Sequence, residues 1–277
     1  MALKPEISLV ILGYRKYNKS MYNAFANPRR SAKRGFVICL MVLFASAGVA
    51  AEVHVAVAAN FTAPMKRIAL EFEKNTNHKV VLSYGSTGKF YAQITNGAPF
   101  DVLLAADNET PEKLEKEGAV VSGTRFTYAI GRLVLWSAKP GLVDERGGVL
   151  TRASFNRLAI AAPKLAPYGA AATEALAKIG LLSQLEVKLV TGDSIGQTFN
   201  MVSSGNAELG FVAMSQVFED GQLKSGSAWV VPANLHSPLM QDAALLVRAR
   251  SNPAALQLLT FLKSAQARAI MNSFGYE

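Results

Sequence analysis

Apolar and polar positions along this chain follow two rhythms that take turns. Val53, Val55 and Val57 alternate with His54 and Ala56 at the period of a buried strand. From Met65 the apolar positions fall at 65, 68, 69 and 72, the stripe of an amphipathic helix. Between them lies the corner Asn60-Phe61-Thr62, with Thr62 suited to cap the helix and Pro64 placed where a missing N–H costs nothing. The predicted helix points its N-terminus back at the strand end, where free N–H groups and the positive dipole end suit an anion. Taken alone, this stretch reads more readily as an ordinary strand-to-helix turn.

The same unit recurs. A strand over 79–83 leads through Tyr84-Gly85-Ser86-Thr87-Gly88 into a helix carrying Phe90, Tyr91 and Ile94 that stops at Gly97. Residues 101–105 predict a third strand, and Thr110-Pro111 is expected to cap a short charged helix ending at Gly118. The rhythm breaks at 127–137, a long β-rich run ended by Lys139-Pro140-Gly141. Alternation then resumes with a strand at 158–161, the corner Ala166-Pro167-Tyr168-Gly169 and a helix over 170–179. A strand at 187–190 and the corner Gly192-Asp193-Ser194-Ile195-Gly196 follow, feeding a helix that runs to Gly205. Strands at 209–213, 229–231 and 242–247 and a helix over 253–272 complete the pattern.

Such alternation implies an α/β fold of mostly parallel sheets flanked by helices. The broken run near Arg132 and the Pro232-Asn234 segment are where the chain would cross between two lobes. The expected division is 52–131 with 233–277 as lobe 1, and 132–232 as lobe 2. Two corners fall in each lobe, and ligands gather at such carboxyl ends of strands in open α/β sheets. None of the four corners has Lys or Arg among its innermost residues, so an anion there would meet dipoles and neutral donors.

Residues 1–51 change how composition is read. Arg29, Arg30, Lys33 and Arg34 precede an apolar run over 35–45 and small residues over 46–51, the layout of a secretory signal peptide, with cleavage expected after Ala51 or Ala50. Met21 is an alternative start. The chain carries 29 Lys+Arg and 20 Asp+Glu; residues 1–51 hold eight and one of these, which leaves 21 against 19, a net +2, for the other 226 residues. The overall +9 is therefore leader charge and gives no argument for nucleic acid. The single cysteine, Cys39, lies in the leader, so the exported protein would need no disulfide.

Rival chemistries find little support. Gly85-Ser86-Thr87-Gly88-Lys89 lacks the Walker pattern, having Ser83 and Phe90 where Gly and Ser or Thr are required. His54, His78 and His236 lack metal-ligand spacing, and no G-x-S-x-G elbow occurs. Asp101, Asp107 and Asp193 sit near strand ends, where acids usually serve turns and caps.

The segments VAVAANFTAPM, YGSTGKFYAQITNGAPFDVLLAAD, RFTYAIGRLVLWSAKPGLVD, APYGAAATEALAKIGL and AELGFVA together resemble the periplasmic molybdate-binding component of an ABC transporter, over nearly all of 53–277. The resemblance implies a two-lobed type II periplasmic-binding fold, a tetrahedral oxyanion ligand and delivery to a membrane permease. It implies a periplasmic binding protein that is no enzyme, uses no cofactor and binds molybdenum only as molybdate; a monomer is expected, and tungstate, nearly the same in size and charge, should bind about as well. Ligand contacts by position in those motifs are Asn60 and Ala59, Thr87 with Ser86, Tyr168 and Ile195. Some members have Ser at positions 60 and 87 and a Tyr at 213, where this chain has Ala213; here Tyr168 would supply the phenol. A sulfate-type receptor is the alternative within the class, and an exported α/β hydrolase is the alternative outside it.

Overall fold

The computed structural model describes residues 50–277, and the leader expected over 1–51 lies, save its last two residues, outside the described residues. Two five-stranded sheets organise the chain, and β9 (Phe218–Glu219) and β10 (Gln222–Leu223) form a separate two-stranded one. The first has the order β2-β1-β3-β12-β4 and draws on β1 (Glu52–Ala58), β2 (Lys79–Gly85), β3 (Val102–Leu104), β4 (Phe126–Gly131) and β12 (Leu239–Leu245). The second has the order β11-β5-β8-β6-β7 and draws on β5 (Leu133–Ser137), β6 (Leu158–Ala161), β7 (Leu189–Gly192), β8 (Leu209–Ala213) and β11 (Ser227–Val230). Each sheet joins a parallel half, built by strand-helix-strand units, to an antiparallel half that includes a strand beside the crossing, β4 or β5. The antiparallel share is larger than alternation alone implies, because strands entering from the other sheet need no helix to turn round.

The long run over 127–137 is two strands in two sheets, broken at Arg132. Its alternation cannot serve one sheet throughout, since Tyr128 and Ala129 pack in the first core and Leu133 and Leu135 in the second. Helix α1 (Thr62–Thr76) buries Met65, Ile68, Ala69 and Phe72 against β1, as its stripe requires, together with α9 (Pro253–Leu262) and α10 (Ala265–Ser273). Helix α5 (Pro167–Lys178) covers the second sheet through Ala171, Ala172, Ala175 and Leu176. Helices α2 (Thr87–Thr95) and α7 (Ile195–Ser203) complete the four units that follow the corners, and the shorter α3 (Glu109–Lys116), α4 (Val149–Arg152), α6 (Leu182–Leu185) and α8 (Met214–Val217) fall between them and before the C-terminal pair along the chain.

Several local expectations need correction. The helix expected over 253–272 is two, because the Ser264 hydroxyl accepts from Ala267 N and starts a second helix. Helix α5 begins at Pro167 rather than at 170, with proline in the first turn, so Tyr168 and Gly169 are helical. The strand expected at 187–190 begins at Leu189; the preceding residues form short helical turns that bury Leu185 and leave Val187 89% exposed. Thr110 does not cap its helix, which spans Glu109–Lys116; Asp107 accepts from Thr110 N and Oγ1 instead. Thr62 is the first residue of α1 and donates to Ala59 O, within a 3-10 turn over Ala59–Phe61 that continues into the helix. Among the described residues no helix is long and apolar enough to cross a membrane.

Gly131 closes β4 just before the crossing, and a β-carbon there would run into the Tyr168 hydroxyl and Gln241 Nε2, both buried. Gly131→Ala must displace them, and overpacking of this kind typically costs about 1–3 kcal/mol. Calorimetric unfolding of Gly131→Ala should show a midpoint lower by roughly 2–4 °C for each of those. An unchanged midpoint would mean that the residues around Gly131 give way freely.

Candidate functional site

The four corners sit at strand ends whose helices begin beside the contact between the two sheets. At the first, Phe61 is wholly buried and meets Tyr128 and Tyr276 edge-on, with ring centroids 4.8 and 5.3 Å away. That anchor fixes Ala59 and Asn60 at the contact. Asn60 O accepts from Ser215 Oγ at 2.6 Å, a bond from the first-sheet corner to the short helix Met214–Val217 that follows β8 of the second. The Asn60 amide nitrogen donates to Gln241 Oε1 at 2.8 Å and to the Tyr276 hydroxyl at 2.9 Å, so both its hydrogens point into the protein. Asn60 Oδ1 is buried with no partner.

At the second corner Ser86 holds the position before α2 in an extended conformation, without capping it. Its hydroxyl is buried and likewise has no partner. Thr87 Oγ1 accepts from Ala106 N at 2.9 Å, which leaves its own proton free to donate. Gly88 N donates to Leu165 O at 2.9 Å, and the glycine lies so close to the Leu165 backbone that a side chain would press on it.

Helix α5 starts the third corner. Gly169 packs directly on Ala161 O at the end of β6, where a β-carbon would collide, and this seats the first turn on the sheet. The Tyr168 ring is 1% exposed, and its oxygen accepts from Gln241 Nε2 at 3.1 Å. That hydroxyl keeps its own proton to donate, and the corner also offers the Tyr168 N–H at the helix start, Gly169 N being given to Ala166 O. At the fourth corner Ser194 caps α7 by accepting from Gln197 N, and Gln197 Oε1 accepts from Asp193 N at 2.7 Å. Ile195 O accepts from Gln216 Nε2 at 3.1 Å, and Gly196 faces Ala59 so closely that a β-carbon would lie 3.2 Å from its methyl.

The fold thus brings the predicted residues together from both sheets. Ala59, Tyr168 and Ile195 share one packed cluster with Ala106, to which Thr87 is bonded, and Gln241 joins Asn60 to Tyr168. Ser86 adjoins them through Thr87. All six are under 9% exposed. No Lys or Arg is among them; Lys89 and Asp193 form an exposed ion pair at 2.7 Å, worth little in water. An open cavity of about 600 Å³ beside the contact is lined by Ala59 and Asn60 of the first corner and Ser194 and Gly196 of the fourth, together with Tyr84, Asn200 and Lys224 among others. Among the described residues no group of His, Cys, Asp and Glu could hold a metal ion. His54 pairs with Glu52 and His78 accepts from Ala51 N, while Asp101 accepts from His54 N.

Sequence reasoning missed Gln241, Tyr276, Tyr128 and Ser215. Gln241 is fully buried in β12, a strand expected to begin at 242, and a polar residue inside an apolar run was its one visible sign. Tyr276 follows the last helix with no periodic pattern to place it.

The family model described as bacterial extracellular solute-binding protein matches residues 53–277. The molybdate-binding protein ModA of Azotobacter vinelandii is 59% identical over 234 residues, 84% of this chain and 93% of that protein. The molybdate-binding protein ModA of Rhodobacter capsulatus is 48% identical over 239 residues, 86% of this chain and 93% of that one. The solved structure of the Azotobacter vinelandii periplasmic molybdate-binding protein superposes with a TM-score of 0.79 at 43% identity, covering 81% of this chain and 98% of that one.

Burial pushes the Tyr128 and Tyr168 phenols well above their ordinary value near 10, and that of Tyr276 up to about 12. All three stay neutral donors at physiological pH. A raised folded value means that the stabilisation is complete below the unfolded value near 10 and is lost as pH rises from there toward 12. Thermal unfolding midpoints measured across alkaline pH should fall steeply only above about 10, and less steeply in Tyr276→Phe. A variant that tracks the parent across that range would remove Tyr276 from the account.

Proposed function

The chain belongs to the bacterial extracellular solute-binding protein family, and from that premise we propose that its four corners form the binding site for the anion it carries. It captures molybdate for an ABC transporter, as the identities over nearly the whole length of two molybdate-binding relatives support. The proposed contacts are Ala59 and Asn60, Ser86 and Thr87, Tyr168 and Ile195. The observation that carries this reading is the Ser86 hydroxyl, buried and without a partner among four helix starts that bring no fixed charge.

Molybdate at neutral pH is a dianion with acceptor oxygens only, so a lining of N–H and O–H groups matches it without a proton acceptor. Ser86 and Thr87 supply hydroxyls, and the first turns of α1, α2, α5 and α7 supply N–H groups and dipoles. Tyr168 contributes the N–H at the start of α5, with its phenol held beside Gln241.

In this reading residues 52–131 with 233–277 form one lobe and 132–232 the other, and they close on the ion. Contacts from Ser215 to Asn60, Gly88 to Leu165 and Gln241 to Tyr168 favour a closed arrangement. Residues 1–51 are read as a signal peptide that sends the protein to the periplasm. There it works as a monomer, binds without catalysis or a cofactor, accepts tungstate as well, and passes the ion to the permease.

Thermal unfolding with an oxyanion panel tests this. A ligand at a thousandfold excess over its Kd adds roughly 4 kcal/mol to the folded state. For a chain of this size that is on the order of 10 °C. Molybdate and tungstate should raise the midpoint by that amount, and sulfate at equal concentration should not. An equal shift with sulfate would defeat the assigned selectivity.

A further inference from the structure

Asn60 Oδ1 is an acceptor, buried and unpartnered, on a residue of the proposed anion site. An acceptor facing a dianion that has only lone pairs is repulsive. The amide nitrogen is turned away, with its hydrogens given to Gln241 Oε1 and the Tyr276 hydroxyl. Gln241 fixes this direction. Its Oε1 lies 2.8 Å from Asn60 Nδ2 and 3.0 Å from the Tyr128 hydroxyl, while its Nε2 donates to the Tyr168 oxygen at 3.1 Å.

A half-turn of an amide exchanges its nitrogen and oxygen with almost no change of shape. Turning Asn60 alone would set two carbonyl oxygens 2.8 Å apart, so Gln241 must turn with it. After both turn, the Gln241 nitrogen donates to Asn60 Oδ1 and to the Tyr128 oxygen, whose own proton goes to Ala105 O at 3.0 Å. Gln241 Oε1 then accepts from the Tyr168 hydroxyl. Tyr276 directs its proton to Asn60 Oδ1, and Ser215 still donates to Asn60 O. Every member of the network is partnered in that arrangement except the Asn60 nitrogen, whose hydrogens now stand where Oδ1 stood.

We propose that Gln241 is a positioning residue for the anion site: its amide turns together with that of Asn60 when molybdate binds, reversing the buried network so that Asn60 presents N–H to the ion. The proposal rests on the site described above. It gives the pair a sorting role, because only the turned arrangement suits an ion with no proton to donate. The orientation seen here suits a ligand carrying a hydroxyl.

Calorimetric titration of molybdate into the parent, Gln241→Glu, Asn60→Ala and the double variant tests the coupling. A carboxylate at 241 offers two acceptors and no N–H, so it holds the Asn60 nitrogen inward. Gln241→Glu should weaken binding by about thirtyfold or more in the parent, the scale of a lost charge-assisted hydrogen bond. In the Asn60→Ala background the same change should cost at least about tenfold less. Gln241→Leu leaves Asn60 free to turn alone and should bind within about tenfold of the parent, whereas a purely structural role would make Leu as harmful as Glu. An equal loss from Gln241→Glu in both backgrounds overturns the inference and leaves the site standing. A parent that binds no molybdate overturns both. Should a variant fail to fold by circular dichroism, neutron diffraction of the deuterated parent with molybdate decides the matter. Deuterons on the anion side of Asn60 uphold the turn, and deuterons on its Gln241 side refute it.

Discussion

In the proposed site an ion of charge −2 is held out of water by residues that bring no cation to balance it, and that is the constraint on which the arrangement depends. Burying an uncompensated charge is among the largest penalties a protein can meet. The corners answer with many small donors brought to one place, each a helix start or a hydroxyl. Convergence at that density needs backbones to approach closely, and the contact between the sheets is lined with small residues accordingly. Gly196 meets Ala59, Gly88 meets Leu165, and Gly131 leaves room for Tyr168 and Gln241. The two sheets supply the geometry, since each sends two strand ends to the same contact.

Behind the corners lies a buried network of Tyr128, Tyr168, Tyr276, Gln241, Ser215 and Asn60, and it ties the first sheet to the second through side chains. Such networks strengthen when every member is satisfied and weaken sharply when one is not. Two atoms stand out against that background, Asn60 Oδ1 and Ser86 Oγ, and both belong to corners. Raised phenol values keep the three tyrosines neutral, so the network adds no charge of its own to the site.

Much of this was legible in the sequence because local rules settled it. The strand at 158–161, the strand at 209–213 and the stripe of α1 follow directly from apolar spacing, and the break at Arg132 shows as a β-rich run too long for one sheet. The corners were visible as small residues between two periodicities. What local rules do not carry is pairing across distance. Asn60 lies 181 positions from Gln241 and 216 from Tyr276, so nothing near Asn60 announces that its amide is already engaged. The same holds for the Tyr168 phenol, whose direction depends on β12 and on the absence of a side chain at Gly131.

The ion is proposed to lie where all four corners meet and not in the open cavity that runs out from the first and fourth toward Tyr84, Asn200 and Lys224. Anomalous diffraction from crystals of the molybdate complex, recorded at the molybdenum absorption edge, locates the metal atom directly. The expected result is one peak enclosed by Ala59, Asn60, Ser86, Thr87, Tyr168 and Ile195, within hydrogen-bonding reach of their N–H and O–H groups through its four oxygens. A peak in the cavity lined by Tyr84, Asn200 and Lys224 instead would contradict it.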